Sequence, residues 1–379
     1  VASVTSSNKQ GSVSALPSLN ILKIATKMAL STGHKVEVLE GEELARQMKD
    51  WKGYKNGLVR LTPGPWIFPK TFLDFADKYF KFKFRPSDVV IATYPKCGTT
   101  WTQEIVWTMR NNPDLNNPKA SLPVLVKSPF LEMDSLNSDP FPDASPSSDD
   151  ANPFLEPFKI LCSGRNPKDG ICVQMAECTP DPRTIKTHLP FSLLPSLMLD
   201  TSKVVYVARN PKDMLVSYHH HCRLIKMHGY VGSLEDFIQY FVDDDLLYGT
   251  YAEHLKEAWE RRNHPNFHIM FYEDMKADII GELKRLDAFL GTKLTLQQLD
   301  NVARHTSFKE MKKREEITLG MGTGDKIFNQ EVTKKDGGFF RKGETGDWRN
   351  KLSPELAAKV DAWVEKNMKN ISADFKYSI

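Results

Sequence analysis

Apolar residues follow two rhythms along this chain. DVVIATY (88–94), KVVYVA (203–208) and FHIMFYE (267–273) are dominated by consecutive or nearly consecutive apolar residues, the pattern of strands buried on both faces. TIKTHLPF (184–191) ends a further short extended stretch. Elsewhere the apolar residues recur every three or four positions, which predicts helices. Such helices fall over WTQEIVWTMRNN (101–112), the residues after RNPKD (209–213), GELKRLDAFLG (281–291) and SPELAAKVDAWVEKNM (353–368). In the last of these, Ser353 stands at the cap and Pro354 in the first turn, while Leu356, Val360, Trp363 and Val364 share one face.

LNILKIATKMAL (19–30) and GEELARQMKDW (41–51) carry shorter helical patterns behind a polar arm, and Pro63, Pro65 and Pro69 break the chain before KTFLDFADKYFKF. Strands alternating with helices predict an α/β fold, a single domain with a central parallel sheet flanked by helices. DSLNSDPFPDASPSSDD (134–150) is rich in Ser, Pro and Asp and predicts a surface loop or flap.

Composition narrows the function. A net charge of +3 on 379 residues leaves no broad polyanion-binding face, so nucleic acid is not an expected partner and any basic site is local. Five cysteines without a CxxC pair suit a reducing compartment, and the expected location is cytoplasmic. No apolar stretch is long enough to span a membrane.

The strand at 88–94 runs into PKCGTT and then into a helix, a strand-loop-helix joint of P-loop-like composition without the GxxxxGK[ST] spacing of nucleoside triphosphatases. Backbone amides of Lys96 to Trp101 at a helix start can cradle an anion, Gly98 allows close approach, and Thr99 and Thr100 add hydroxyls. A lysine ahead of the glycine suits a bridging oxygen on which charge grows as a bond breaks. Lys186-Thr187-His188 sets a candidate base beside a cation. Arg209 with Ser217 can clamp a second phosphate, and Arg341-Lys342-Gly343 forms another cationic turn.

RNPKD occurs at 165–169 and at 209–213, and the chemistry is assigned to the second copy because it leaves the carboxyl end of a Val-rich strand. The run His219-His220-His221 does not predict a metal site, since neighbours on a helix point about 100° apart. KKREE (312–316) reads as a solvated face.

Six motifs in order, TYPKCGTTW, KTHLP, YVARNPKDMLVSY, FYEDM, HTSFKEM and RKGETGDW, resemble the cytosolic sulfotransferases from about Phe72 to the final helix. The resemblance implies sulfuryl transfer from 3′-phosphoadenosine 5′-phosphosulfate (PAPS, leaving PAP) to a small-molecule hydroxyl or amine, without a metal. It implies that Lys96, Cys97, Gly98, Thr99, Thr100 and Trp101 surround the 5′-phosphosulfate. Arg209, Ser217, Arg341, Lys342 and Gly343 would hold the 3′-phosphate, and Tyr272, Thr306 and Phe308 would line the adenine pocket. His188 would be the base, with Lys96 and Lys186 beside the transferring group. Phe72, Phe130 and Leu131 would border an acceptor pocket suited to a lipophilic or phenolic compound.

Cys97 stands where that family commonly has Ser. On the same basis residues 1–57 form an N-terminal arm and helices, and 58–379 the sulfotransferase domain with an insertion around 134–180. Sulfation of an allylic alcohol would create a good leaving group, and a pocket lidded by the insertion would favour elimination. A homodimer is possible, but the family's dimer motif, which would begin at Arg349, is degraded by Ser353, Pro354 and Ala358.

Overall fold

The computed structural model describes residues 29–136, 154–319, 327–369 and 371. The expected helix over 19–30 and most of the 134–150 flap lie outside these residues. Ala29 is described, and it bridges to Lys35 rather than continuing a helix.

Four parallel strands form the central sheet: β4 (Val89–Thr93), β5 (Thr184–Thr187), β6 (Lys203–Ala208) and β7 (Phe267–Phe271), in the spatial order β5-β4-β6-β7. β4, the first of the four in sequence, lies inside, so the chain passes to β5 on one side of it and then crosses over to β6 on the other. That is the topological switch where open α/β sheets bind ligands. β4 is buried throughout and β6 nearly so, as their unbroken apolar runs require. One large core packs on one side and a second, built on Val89, Ile91, Val205 and Val207, on the other. The sheet start is locked by Arg183 and Asp88, whose side chains are almost wholly buried and whose Nε–Oδ1 distance is 2.7 Å. Removing one partner of such a pair strands a buried charge, at a cost of about 3–5 kcal/mol.

A second sheet does not follow the sequence reading. β1 (Lys35–Val38), β2 (Leu58–Thr62) and β3 (Trp66–Pro69) pair antiparallel in that order. The prolines at 63 and 65 lie between β2 and β3 and turn the chain rather than merely breaking it. The expected break at residue 57 falls inside this sheet, because β1 pairs with β2 across it. Helix α1 (Gly41–Asp50) confirms its pattern, and α2 (Phe72–Phe80) follows β3.

The insertion is less loop-like than its composition suggests. Leu155–Leu161 and Ile171–Cys178 are helical and pack around Phe158, Cys162 and Met175. Buried Asp134 caps the second of these helices, accepting amides of Ile171, Cys172 and Val173 at 2.8–3.0 Å. The C-terminal helix Pro354–Asn367 starts as expected, with Ser353 accepting the Leu356 amide. That cap and proline occupy the stretch where the dimer motif would lie.

Candidate active site

Because the four strands are parallel, their C-terminal ends deliver four segments to one edge. β4 is followed by 94–98, β5 by His188, β6 by Arg209 and β7 by Tyr272. The register sets Ala92 beside Thr187 and Thr93 beside Val207, so His188 emerges level with Thr93. A cavity of about 290 Å³ opens there, lined by Lys96, Gly98, Thr99, Thr100 and Trp101 from the first joint.

The joint is built by two left-handed residues. Lys96 has φ 66° and Gly98 φ 101°, which turn the chain sharply into α3 (Thr99–Asn111). A Cβ on Gly98 would stand 2.8 Å from the Tyr272 ring. Gly98→Ala therefore meets both an unfavourable backbone and a clash. It is expected to destabilise the protein by about 1–3 kcal/mol and to weaken anion binding at the loop at least about tenfold. A thermal melt and a calorimetric titration check this.

Cys97 is fully buried beneath the loop and is not among the lining residues, and burial pushes its thiol pKa up. The Thr99 hydroxyl lies 2.6 Å from that of Thr93, which ties the loop to the β4 end. Lys96 Nζ sits over the Phe339 ring at 4.5 Å. Burial, then the Arg209 and Lys186 charges, lower its pKa to about 7.

His188 is oriented by backbone. Its Nδ1 lies 2.8 Å from the Thr93 carbonyl, which can only accept, so Nδ1 carries the proton and Nε2 the lone pair. Burial, and then the neighbouring Lys186 charge, hold the imidazole pKa well below 6.5. The ring is thus neutral at pH 7. Lys186 Nζ sits 3.7 Å from the centroid of Phe130, and burial lowers its pKa. Phe130 lines the cavity, edge-on to His188 at 5.2 Å. Phe72 does not line it: it is core, stacked on Phe68 at 4.1 Å, and Leu131 is likewise buried away from the lining.

Glu132 is the residue that sequence reasoning missed. Its carboxylate accepts the His188 amide at 2.6 Å and the Thr187 hydroxyl at 2.8 Å, and Tyr248 OH approaches at 3.4 Å. Burial raises its pKa. A lone Glu in PFLEM gives no signal, since its partners become neighbours only when Phe130 bridges to Lys186 beside β5.

The cationic groups converge at the other end. Arg209 donates to the Lys96 carbonyl at 2.9 Å and the Glu344 carbonyl at 3.3 Å, and lies over Tyr272 at 4.2 Å. Its Nε is buried without a partner among the described residues. Ser217 lines the cavity from the helix Pro211–Leu224, which Asn210 caps. Asp213 on that helix accepts the Gly346 and Trp348 amides at 2.6 and 3.1 Å and so docks the RKG turn. Asp347 holds Arg341 at 2.9 Å and Lys342 at 2.6 Å.

Gly343 has φ 65°, and a Cβ there would stand 2.2 Å from Phe308. Thr306 and Phe308 line the same end. Trp101 meets Tyr272 edge-on at 5.7 Å. Arg165, from the other RNPKD, pairs with Glu177 on the insertion and does not line the cavity.

KKREE departs from its solvated reading at two residues, the first being Arg314, which is half-buried and donates to the His305 carbonyl at 2.9 Å. Glu315 accepts the amides of Phe339 and Phe340 at 2.6 and 3.1 Å, fixing the strip that covers Lys96. Of the three histidines, His219 and His220 face the carbonyls of Gly232 and Gly338, and His220 and His221 line the cavity.

Comparison with known proteins gives a consistent picture. A family model described as a sulfotransferase domain matches residues 86–372. Luciferin sulfotransferase of Photinus pyralis is 30% identical over 360 residues, covering 92% of this chain and 90% of that protein. Sulfotransferase 1E1 of Bos taurus is 33% identical over 311 residues, covering 82% and 93%. Among solved structures, retinol dehydratase in complex with retinol and PAP superposes with a TM-score of 0.76 at 30% identity. That match covers 91% of this chain and 99% of the other.

Proposed function

The chain belongs to the sulfotransferase family, with PAPS as its cofactor, and from that premise we propose that it moves the sulfuryl group to the hydroxyl of a small lipophilic or phenolic acceptor, with His188 as the base. The observation that carries the reading is the neutral His188, its Nε2 lone pair free, on the wall of the cavity that also holds Lys96 and Arg209.

The residues present fit the cofactor. Arg209 Nε is buried with no partner among the described residues, and Gly98, Thr99 and Thr100 line the cavity at the start of α3. The α3 amides and Lys96 would hold the 5′ end. Arg209, Ser217, Arg341, Lys342 and Gly343 would hold the 3′-phosphate, with Trp101, Tyr272, Thr306 and Phe308 around adenine. Bound PAPS supplies a sulfuryl group on a phosphate that can leave.

The protein's own part is to orient and to move one proton. Thr93 fixes the His188 ring, Glu132 fixes its backbone, and Nε2 accepts the hydroxyl proton. Lys96 and Lys186 bring positive charge to a buried place where little water screens it. The wall of Phe130, Met133, Leu136, Val124 and Leu125 excludes water and suits an apolar acceptor skeleton.

Lys96 gives a pH signature. Its pKa near 7 in the free protein means that it is largely neutral at pH 8, whereas an anion at the loop favours the charged form. PAP binding is expected to take up close to one proton at pH 8 and to lose that uptake at pH 6, where Lys96 is already charged and the PAP phosphates, with a second pKa of about 6, give up protons on binding. Buffer-dependent binding enthalpies read the uptake directly, and equal values at both pH would contradict it.

The likeness to retinol dehydratase, bound to retinol as well as PAP, supports a second reading for allylic acceptors: sulfation followed by loss of sulfate. Turnover with a phenol, a sterol, retinol and a tyrosine peptide tests both. Activity on the first three with none on the peptide is expected. A peptide preference would overturn the acceptor class, and a stable retinyl sulfate would remove the elimination.

A further inference from the structure

The family match begins at residue 86, yet an earlier segment reaches the cavity through one hydrogen bond. Trp51 pairs with Tyr230 in an isolated antiparallel bridge, their rings 4.7 Å apart. The amides of Lys52 and Gly53 donate to the carbonyls of Gly229 and His228 at 3.0 and 3.1 Å. A Cβ on Gly53 would stand 1.8 Å from the Met227 carbonyl oxygen, so the two segments lie in direct backbone contact. Held by this clamp, the Tyr54 hydroxyl bonds Nδ1 of His228, a residue on the cavity wall.

The direction of that bond follows from satisfying both groups. Burial keeps the Tyr54 phenol pKa well above 10 and brings His228 down to about 3, so both are neutral. If Tyr54 accepted from Nδ1, its own buried O–H would go without a partner among the described residues, at a cost of about 1–3 kcal/mol. Tyr54 therefore donates, Nδ1 accepts, and the His228 proton sits on Nε2, the nitrogen left for the cavity. Beside it, 5.2 Å between ring centroids, stands His221, which also lines the cavity and whose Nδ1 is buried with no partner among the described residues. Ile225, Met227 and Phe339 make the wall around them apolar. A polar donor and an unsatisfied imidazole nitrogen in an apolar chamber call for a polar atom on the ligand.

We propose that Tyr54 and His228 build a hydrogen-bond-donating end into the acceptor cavity, which selects acceptors carrying a second, hydrogen-bond-accepting oxygen besides the hydroxyl that is sulfated. The proposal rests on the reading of this cavity as the acceptor site. A ketone, ether or second hydroxyl oxygen meets the requirement. Tyr54 is a positioning residue here: it touches no substrate and acts by setting the His228 tautomer. The segment before residue 58 thereby contributes to specificity rather than standing as a separate arm.

The test uses the full chain with PAP bound, so that binding is read without turnover. Androsterone is compared with the same sterol lacking its ring ketone, and a hydroxytetralone with the matching tetrahydronaphthol, by calorimetry. Wild type is expected to bind the ketone member of at least one pair about tenfold more tightly. Tyr54→Phe should erase that preference while leaving PAP and the ketone-free member unchanged. His228→Phe should erase it too, and the double variant should lose no more than either single one. Nitrogen-15 NMR of the imidazoles should show the Nε2–H tautomer of His228 in wild type and its loss in Tyr54→Phe.

No preference in wild type, or an equal weakening of both members by Tyr54→Phe, would overturn the proposal. Failure of the sulfotransferase reading would look different. The preference would stand, but PAPS would leave both members unsulfated.

Discussion

Replacing His188 by Ala lowers kcat by about 10²–10⁴-fold and leaves the PAP dissociation constant within about twofold of wild type. The split follows from where the ring sits. Its fixed contact is the Thr93 carbonyl at 2.8 Å, and none of its hydrogen bonds is to a cationic group that would hold phosphate. Removing it takes away a proton acceptor while Arg209, Arg341 and Lys342 remain. The same ring predicts a pH profile. Its pKa lies well below 6.5, through burial and then the Lys186 charge, so the base form persists as pH falls from 7 to 6. An acid limb of kcat/KM centred at or above 6.5 would assign the base elsewhere. His188→Asn is the companion variant, since its amide can still donate to the Thr93 carbonyl but cannot serve as a base near neutral pH.

Replacing Arg209 by Ala raises the PAP dissociation constant by about 10–100-fold and narrows discrimination between PAP and AMP, which lacks the 3′-phosphate. One guanidinium closes the Lys96 carbonyl, braces the Glu344 carbonyl and covers Tyr272, and among the described residues its Nε has no partner, which leaves it for a ligand. Its loss thus removes a donor and loosens the loop at once. Lys in its place keeps the charge but not the fork and should recover only part of the affinity. A calorimetric series with PAP and AMP on the three proteins checks this. An unchanged ratio of the two affinities in Arg209→Ala would take Arg209 out of the 3′ clamp.

The parts legible in the sequence were those in which local pattern and chemistry coincide. The strand at 89–93 is apolar up to its last residue, Thr93, and its turn needs a glycine, so the anion loop can be found from a dozen residues. The second RNPKD was separable from the first because a Val-rich strand precedes it. In both copies the Asn caps the turn that follows it, but only the second opens a long helix.

Other features depend on distance in the chain. Glu132 reaches the His188 amide across 56 residues, and Tyr54 reaches His228 across 174. Such pairs carry no spacing signal. The three-stranded sheet had a signal that went unread: KVEV alternates, and proline and glycine separate LVRLT from WIFP. The resemblance sets Phe72 at the pocket, but an aromatic residue suits either wall or core, and only packing against Phe68 decides it. Glu315, inside a charged run, turned out to hold two loop amides, since a carboxylate on a short helix can face a neighbouring loop as readily as water.

The most direct measurement is a mass balance on one turnover: purified protein, excess phenolic or sterol alcohol, stoichiometric PAPS, and mass spectrometry of every product. The account predicts one sulfate ester on the acceptor hydroxyl for each PAP formed, with the ester all but lost in His188→Ala. PAP released with free sulfate and an unmodified acceptor would contradict it.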